Sequence, residues 1–319
     1  MDRLRELRYF AVMVNIQSNE VKQFARSLGF SELGIARARR LDEEARRLEL
    51  WLQNEQHGQM QYMENHFELR VDPTLLLPDC KSVFVLSHNY FPQKEMLTPS
   101  SHKIARYAYG KDYHKILKKK LKQLSAYIQA QYGQASIRYF TDSAPILERD
   151  WAKHAGIAWT GKNTLSIHPK SGSYFFLSVL LTDLAFEPDP PIKNYCGTCR
   201  KCIEACPTQA IAQDGYRLNA SKCISYLTIE LRDEIPHEFR SKLDQWIFGC
   251  DICQEVCPWN RFSRPHDESE FTPIDLLFSL GKKDWMEMQE EEFQTHFKQS
   301  PIHRTGLKGM KRNIEFVQD

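Results

Sequence analysis

Cys196-x2-Cys199-x2-Cys202-x3-Cys206-Pro207 has the spacing of an iron–sulfur ligand run. Three closely spaced thiolates take three iron corners, and the fourth cysteine reaches another cluster. Cys250-x2-Cys253-x3-Cys257-Pro258 repeats the second half of that pattern, and Cys223 supplies the thiol still needed before it. Crossed ligation then gives one [4Fe–4S] cluster to Cys196, Cys199, Cys202 and Cys257, and the other to Cys206, Cys223, Cys250 and Cys253. Structural zinc is the competing chemistry, because Cys-x2-Cys pairs also build tetrahedral thiolate sites. The two Cys-x3-Cys-Pro endings favour clusters. Radical S-adenosylmethionine chemistry uses Cys-x3-Cys-x2-Cys, an order that does not occur here. Interleaved clusters pass electrons, and electrons need a destination. The ninth cysteine, Cys80, stands apart and is expected to be a buried thiol without chemistry.

The destination is sought upstream. In Tyr139-Phe140-Thr141-Asp142-Ser143-Ala144-Pro145-Ile146-Leu147-Glu148-Arg149 a strand runs into a proline-started helix, with Asp142 near the helix N-terminus. Two roles are open to Asp142: an acid placed beside a reductant, or a helix cap, the usual work of Asp and Ser at such a position. Trp159-Thr160-Gly161-Lys162-Asn163-Thr164 then reads as a polar loop whose glycine suits close backbone approach to a large ligand.

The elements that must position these groups can be read from periodicity. Helices are expected at 19–28, 42–56, 59–69, 112–132 and about 146–155, and strands at 32–36, 82–87, 136–140 and 173–181. Their irregular alternation predicts an α+β fold rather than a doubly wound sheet. Glu187-Pro188-Asp189-Pro190-Pro191 reads as an extended linker. It divides the 319 residues into a catalytic domain at 1–187, a ferredoxin-like domain at 188–265 and a helical segment at 266–319. The longest apolar stretch, Tyr174 to Leu181, is far short of the roughly 20 residues that span a bilayer. Met1 to Val14 lacks a signal-peptide pattern, so a cytoplasmic, membrane-free monomer is expected. Lys and Arg number 43 against 41 Asp and Glu, so any RNA contact must come from a local patch. Lys298, Arg304, Lys308, Lys311 and Arg312 form one such patch, as a tRNA contact or as a solvated helical face. The lysine run Lys118, Lys119, Lys120 and Lys122 reads as a solvated face.

Taken together, these segments resemble epoxyqueuosine reductase, a cobalamin-dependent iron–sulfur family of tRNA modification. The resemblance is carried by Arg70-Val71-Asp72-Pro73, Gly110-Lys111-Asp112-Tyr113-His114, Asp142 to Arg149, Gly161-Lys162-Asn163, both cysteine motifs, Cys223 to Thr228 and Phe248-Gly249-Cys250-Asp251. It implies a nitroreductase-like cobalamin-binding domain, then the two-cluster module, then helical repeats. It also implies removal of the epoxide oxygen from epoxyqueuosine at the tRNA wobble position. By matching position, Asp142 would be the proton donor. Arg70, Gly161, Lys162, Asn163, Ser166, Ser225, Cys250 and Asp251 would border the corrinoid, and an external low-potential donor would feed the clusters. Asp112-Tyr113-His114 begins like the Asp-x-His-x-x-Gly signature of a cobalt-ligating histidine, but position 117 is Leu117, so His114 is expected to touch cofactor or substrate instead. The resemblance leads one to expect further helical repeats past Lys311-Arg312-Asn313, whereas this sequence ends at Asp319. A corrinoid reductive dehalogenase and a non-catalytic electron-transfer subunit are the rival readings.

Overall fold

A computed structural model of the chain describes residues 18–93 and 102–317; the reading of Met1 to Val14 lies outside them. Four antiparallel strands form the main sheet in the order Glu32–Arg37, Ser82–Asn89, Phe175–Thr182, Ile137–Phe140. The two inner strands are apolar on both faces, so each must be covered twice. Phe84, Leu86 and Leu180 pack under Leu117, Leu121, Leu124 and Ile128 of the helix Tyr113–Tyr132, with Val21 and Ala25 of helical residues 18–27 beside them. Val83, Val85, Val179 and Leu181 face Trp151 and Ala152 of the helix Glu148–His154 on the other side. The result is an antiparallel sheet between helical layers, a mixed α and β fold as the alternation predicted.

Local chemistry accounts for where boundaries differ from expectation. The single helix expected at 59–69 is instead a 3-10 turn, Gln61–Met63, and a short helix, Phe67–Val71, separated by His66 in the left-handed region at φ 59°. A non-glycine residue there ends a helix. Gly34 in the edge strand lies so close to the sheet-covering layer that a Cβ would stand 2.0 Å from the Ala155 carbonyl oxygen. Gly34→Ala should therefore force that layer outward and cost about 1–3 kcal/mol. Urea unfolding should show it as a lower midpoint with an unchanged slope.

The proline-rich linker is docked rather than loose. The Asp189 backbone N–H donates to the Ile35 carbonyl at 2.8 Å, the Asp189 carboxylate accepts from the Ile35 N–H at 2.9 Å, and Lys22 Nζ lies 2.6 Å from it. The segment thereby covers the exposed edge of the sheet. Beyond it, both cysteine motifs fold alike, each with a four-residue helix, Lys201–Glu204 or Ile252–Glu255, and these two helices pack on each other.

The C-terminal helices share one apolar cluster with residues 104–109 and 220–248, in which Trp285, Phe293, Phe297, Met310 and Ile314 meet Leu227, Ile247 and Phe248. A parallel pairing of Lys103–Ile104 with Trp246–Phe248 joins the catalytic and cluster regions. Buried Asn313 donates from Nδ2 to the Thr228 and Ile247 carbonyls, both at 2.8 Å, while Thr228 Oγ1 accepts the Gly249 N–H at 3.0 Å. The loop leading to Cys250 is thus held from the C-terminal helix. No helix among the described residues is long and apolar enough to cross a membrane.

Candidate active site

The helix Tyr113–Tyr132 starts at Asp112, whose Oδ1 accepts the His114 N–H at 3.0 Å and lies 2.6 Å from His114 Nδ1. That cap fixes the first turn. It presents Tyr113, stacked on Phe176 at 3.9 Å between centroids and on His114 at 4.2 Å, toward the end of the strand Ile137–Phe140. Tyr113 Oη donates to Asp142 Oδ2 at 2.7 Å, and His114 Nε2 is 3.7 Å from the same oxygen. Asp142 is in the left-handed region at φ 47°, and its backbone N–H donates to Glu148 Oε1 at 2.7 Å.

The helix-cap role for Asp142 is corrected by this geometry. The residue preceding the helix Glu148–His154 is Leu147, with no side-chain cap, and the Asp142 carboxylate turns away to Tyr113. Its side chain is 66% exposed, so the chain alone does not bury it, contrary to the apolar surroundings a proton-holding carboxyl requires. The Asp142 charge acts on Tyr62 and on Arg304, whose guanidinium carbon is 6.0 Å from the Tyr62 ring and whose Nη2 pairs with Glu230 at 2.9 Å. Burial pushes the Tyr62 phenol up to about 12, with Glu230, Arg304, Asp142 and Arg70 all acting on it.

Tyr107, whose ring lies 6.4 Å from that of Tyr113, lines a cavity of about 260 Å³. Asn163, Ser225, Cys250 and Asp251 line it, together with Tyr107 and Arg149. The loop expected at 159–164 is the tip of a hairpin, Trp159–Thr160 against Ser166–Ile167. A Cβ on Gly161 at that tip would meet Ile167 Cδ1 at 2.5 Å, so the turn admits only glycine without a shift. Asn163 Nδ2 donates to the Cys253 carbonyl at 3.3 Å, and buried Ser166 Oγ has no partner.

Three expected cofactor contacts are otherwise engaged. Lys162 Nζ donates to the Gly197 and Cys199 carbonyls at 2.7 and 3.0 Å, toward the cysteine loop rather than the cavity. Arg70 is buried and donates to the Tyr62 and Asn65 carbonyls, so it shapes the wall that carries Tyr62. Asp251 accepts from the Arg106 N–H at 2.9 Å and Nη1 at 3.2 Å.

The thiols fall into two neighbourhoods. Burial pushes Cys202 up to about 11, with Cys196, Cys257 and Cys199 adding to it, and Cys257 is raised by burial and then by Cys196 and Cys199. Cys223 is raised by burial and then by Cys206, Cys250 by burial, Cys253 and Cys223, and Cys253 by burial, Cys223, Cys202 and Cys206. Cys257 thus lies near Cys196 and Cys199, and Cys253 near Cys223, Cys202 and Cys206. Burial of the lone Cys80 raises its thiol to about 11 and keeps it inert.

Residues 195–260 match the 4Fe-4S double cluster binding domain, and residues 70–143 match the epoxyqueuosine reductase QueG family. The chain is 50% identical to the epoxyqueuosine reductase of Cellulophaga algicola, covering 94% of this chain and 98% of that protein, and 52% identical to that of Leadbetterella byssophila, covering 95% and 98%. It belongs to the epoxyqueuosine reductase family. Its members are oxidoreductases. The Escherichia coli member is 40% identical over 94% of this chain and 80% of its own. A solved epoxyqueuosine reductase with an epoxyqueuosine-modified tRNA-Tyr stem loop superposes with a TM-score of 0.89, at 31% identity over 95% of this chain and 81% of that one. A Streptococcus thermophilus structure gives 0.86 at 30% identity, over 94% and 80%.

Of the basic residues expected to meet tRNA, two are spent inside this fold. Lys311 Nζ donates to the Met286 and Met288 carbonyls, both at 2.8 Å. Arg312 donates to the Leu231 and Asp233 carbonyls at 2.7 Å and to Leu227 at 3.0 Å. The phosphate role is withdrawn from both, because their donors hold backbone. Lys298, Arg304 and Lys308 remain exposed. Sequence reading also passed over Tyr113 and Glu148 as functional groups, although both sit inside quoted motifs; only the tertiary contact to Asp142 marks them.

Glu148 carries a measurable signature. Burial, reinforced by the Asp142 carboxylate, pushes it up to about 8 from an ordinary value near 4.5. The fold therefore keeps a proton that the unfolded chain releases, and stability should fall as pH rises between about 4.5 and 8. Glu148→Gln should remove that part of the slope, so the variant gains on the wild type toward pH 8. Urea midpoints across pH 5–8 that run parallel for the two proteins would contradict it.

Proposed function

We propose that the chain reduces the epoxide of epoxyqueuosine in tRNA to queuosine, using cobalamin fed by two [4Fe–4S] clusters. The observation that carries this reading is Tyr107: it lines the cavity bounded by Cys206, Cys223, Cys250 and Cys253, and its ring lies 6.4 Å from that of Tyr113, which holds Asp142 at 2.7 Å. An acid and an electron source would thus act on opposite sides of Tyr107. Removing the epoxide oxygen as water breaks two C–O bonds, forms a C=C bond and consumes two electrons and two protons.

The cavity's mostly apolar lining with a few polar anchors suits contact with one edge of a large apolar cofactor. Unpartnered Ser166 Oγ, the Asn163 side chain, Ser225 and the tight Gly161 turn would border a corrinoid. A bound corrinoid would supply a strongly reducing cobalt at neutral pH. Asp142 would give its proton to the leaving oxygen, with Tyr113 fixing the carboxylate and Glu148 holding the backbone of residue 142. Cofactor and substrate together would cover the exposed carboxyl and supply the apolar surroundings that the chain lacks. Arg304 and Tyr62 would form the opposite wall for the nucleotide, and Lys308 and Lys298 would take backbone phosphates.

Absorption spectra of the reconstituted protein with and without added cobalamin test the reading, followed by turnover of tRNA bearing the epoxide. Stoichiometric corrinoid and conversion to queuosine are expected. Intact clusters with no corrinoid binding would favour the electron-transfer subunit instead.

A further inference from the structure

We propose that the surface over the Cys196–Cys202 loop is the docking site of a small, acidic, low-potential electron-transfer protein. The proposal rests on the reading above that electrons move inward through the clusters. Direction follows from burial: Cys206, Cys223, Cys250 and Cys253 bound the internal cavity, whereas the loop carrying Cys196 and Cys199 lies at the surface. At its tip, Gly197 has no atom within 4 Å of where a Cβ would be. Electrons from outside therefore meet the Cys196, Cys199, Cys202, Cys257 set first.

The loop is flanked by aromatic rings that the fold leaves in solvent. Tyr195 is 49% exposed and Tyr216 is 42% exposed, two of only five such large apolar side chains among the described residues. Tyr195 lies edge-on to Trp159 at 5.1 Å and tilted to Trp259 at 5.7 Å, and Tyr216 Oη accepts from Asn194 Nδ2 at 3.0 Å. Both rings are braced from beneath, as contact residues that lose little entropy on docking.

Charge chooses the partner. From residue 190 to 204 the chain has Lys193, Arg200 and Lys201 against Glu204, which lies 3.5 Å from Arg200, and from 256 to 266 it has Arg261 and Arg264. Lys193 and Lys201 are exposed and have no ionic partner among the described residues, while Arg261 lies over the Phe262 ring at 4.3 Å. Two lysines without ionic partners, Lys193 and Lys201, thus stand beside the Cys196–Cys202 loop in a chain whose net charge is only +2. Electron-transfer encounters are small and weak, so their rates depend on electrostatic steering. An acidic donor would approach, give one electron to the oxidised cluster, leave oxidised by one electron, and repeat once for each two-electron turnover.

The experiment is anaerobic stopped-flow bleaching of the clusters in holoenzyme, with two reductants: a photoreduced acidic flavodoxin and reduced methyl viologen. Wild type is compared with the double variants Lys193→Glu/Lys201→Glu and Lys193→Gln/Lys201→Gln. With flavodoxin at low salt, the bimolecular rate should fall about tenfold or more in the reversed variant and less in the neutral one, and the wild-type rate should drop steeply with salt. Viologen should reduce all three proteins equally. Equal flavodoxin rates would overturn the proposal, and so would an equal slowing with viologen, which would assign the lysines to the cluster potential. Weakened tRNA binding with unchanged flavodoxin rates would make the surface an RNA contact. Because cluster bleaching needs no tRNA product, failure of the epoxide assay would leave this readout standing.

Discussion

Asp142→Asn should lower single-turnover conversion of epoxide-bearing tRNA by about 10²- to 10⁴-fold, the usual worth of a positioned general acid, while iron, sulfide and corrinoid content stay at wild-type levels. The amide keeps the size of the carboxyl and accepts the Tyr113 hydroxyl hydrogen bond, but has no acidic proton to give. Stability should hardly change, because the side chain is largely exposed and caps no helix. The left-handed backbone at φ 47° also suits asparagine as well as aspartate. Tyr113→Phe removes only the hydrogen bond that aims the carboxyl, so a smaller loss with a displaced pH profile is expected. Near-normal turnover in Asp142→Asn would place the proton source elsewhere, in water or in His114, 3.7 Å away.

How much of this was legible in the sequence depends on the range of the interactions. Cysteine spacing encodes its chemistry locally, and the two motifs fold into matching short helices as their repeated pattern required. The inner strands were also readable, since their apolar runs, Ser82–Asn89 and Phe175–Thr182, can be buried only between two layers. Contacts between distant segments were not. Asp142 looked like a cap because the strand-to-helix pattern puts it before a helix, and only the fold brings Tyr113 within 2.7 Å of its carboxylate. Lys311 and Arg312 looked like phosphate ligands because their sequence neighbours are basic. Which carbonyls lie open to them at Met286, Met288, Leu227 and Leu231 is decided by how the last helix packs. A cation's role is settled by acceptors that its own segment does not contain.

Cys257→Ala should halve the iron, from about eight to about four per chain after anaerobic reconstitution, and remove the cluster held by Cys196, Cys199 and Cys202. Sequence proximity alone points to a different result, because Cys257 follows Cys250 and Cys253 by a few residues, and an uncrossed arrangement would damage their cluster instead. The neighbours of each thiol favour the crossed outcome. Cys257 is raised by burial and next by Cys196 and Cys199, whereas Cys253 is raised by burial and then by Cys223, Cys202 and Cys206. Cys206→Ala is the reciprocal variant: it should spare the Cys196 set and remove the cluster that borders the cavity. Both variants should stop turnover with a protein electron donor, since the path needs both clusters, yet they should leave different paramagnetic signals after reduction. Cys257→Ala should retain the signal of the cluster next to the cavity, whose line shape responds to added corrinoid; Cys206→Ala should retain one that does not. If Cys257→Ala lost the corrinoid-responsive signal and Cys206→Ala kept it, the crossed ligation would be wrong and each motif would serve its own cluster.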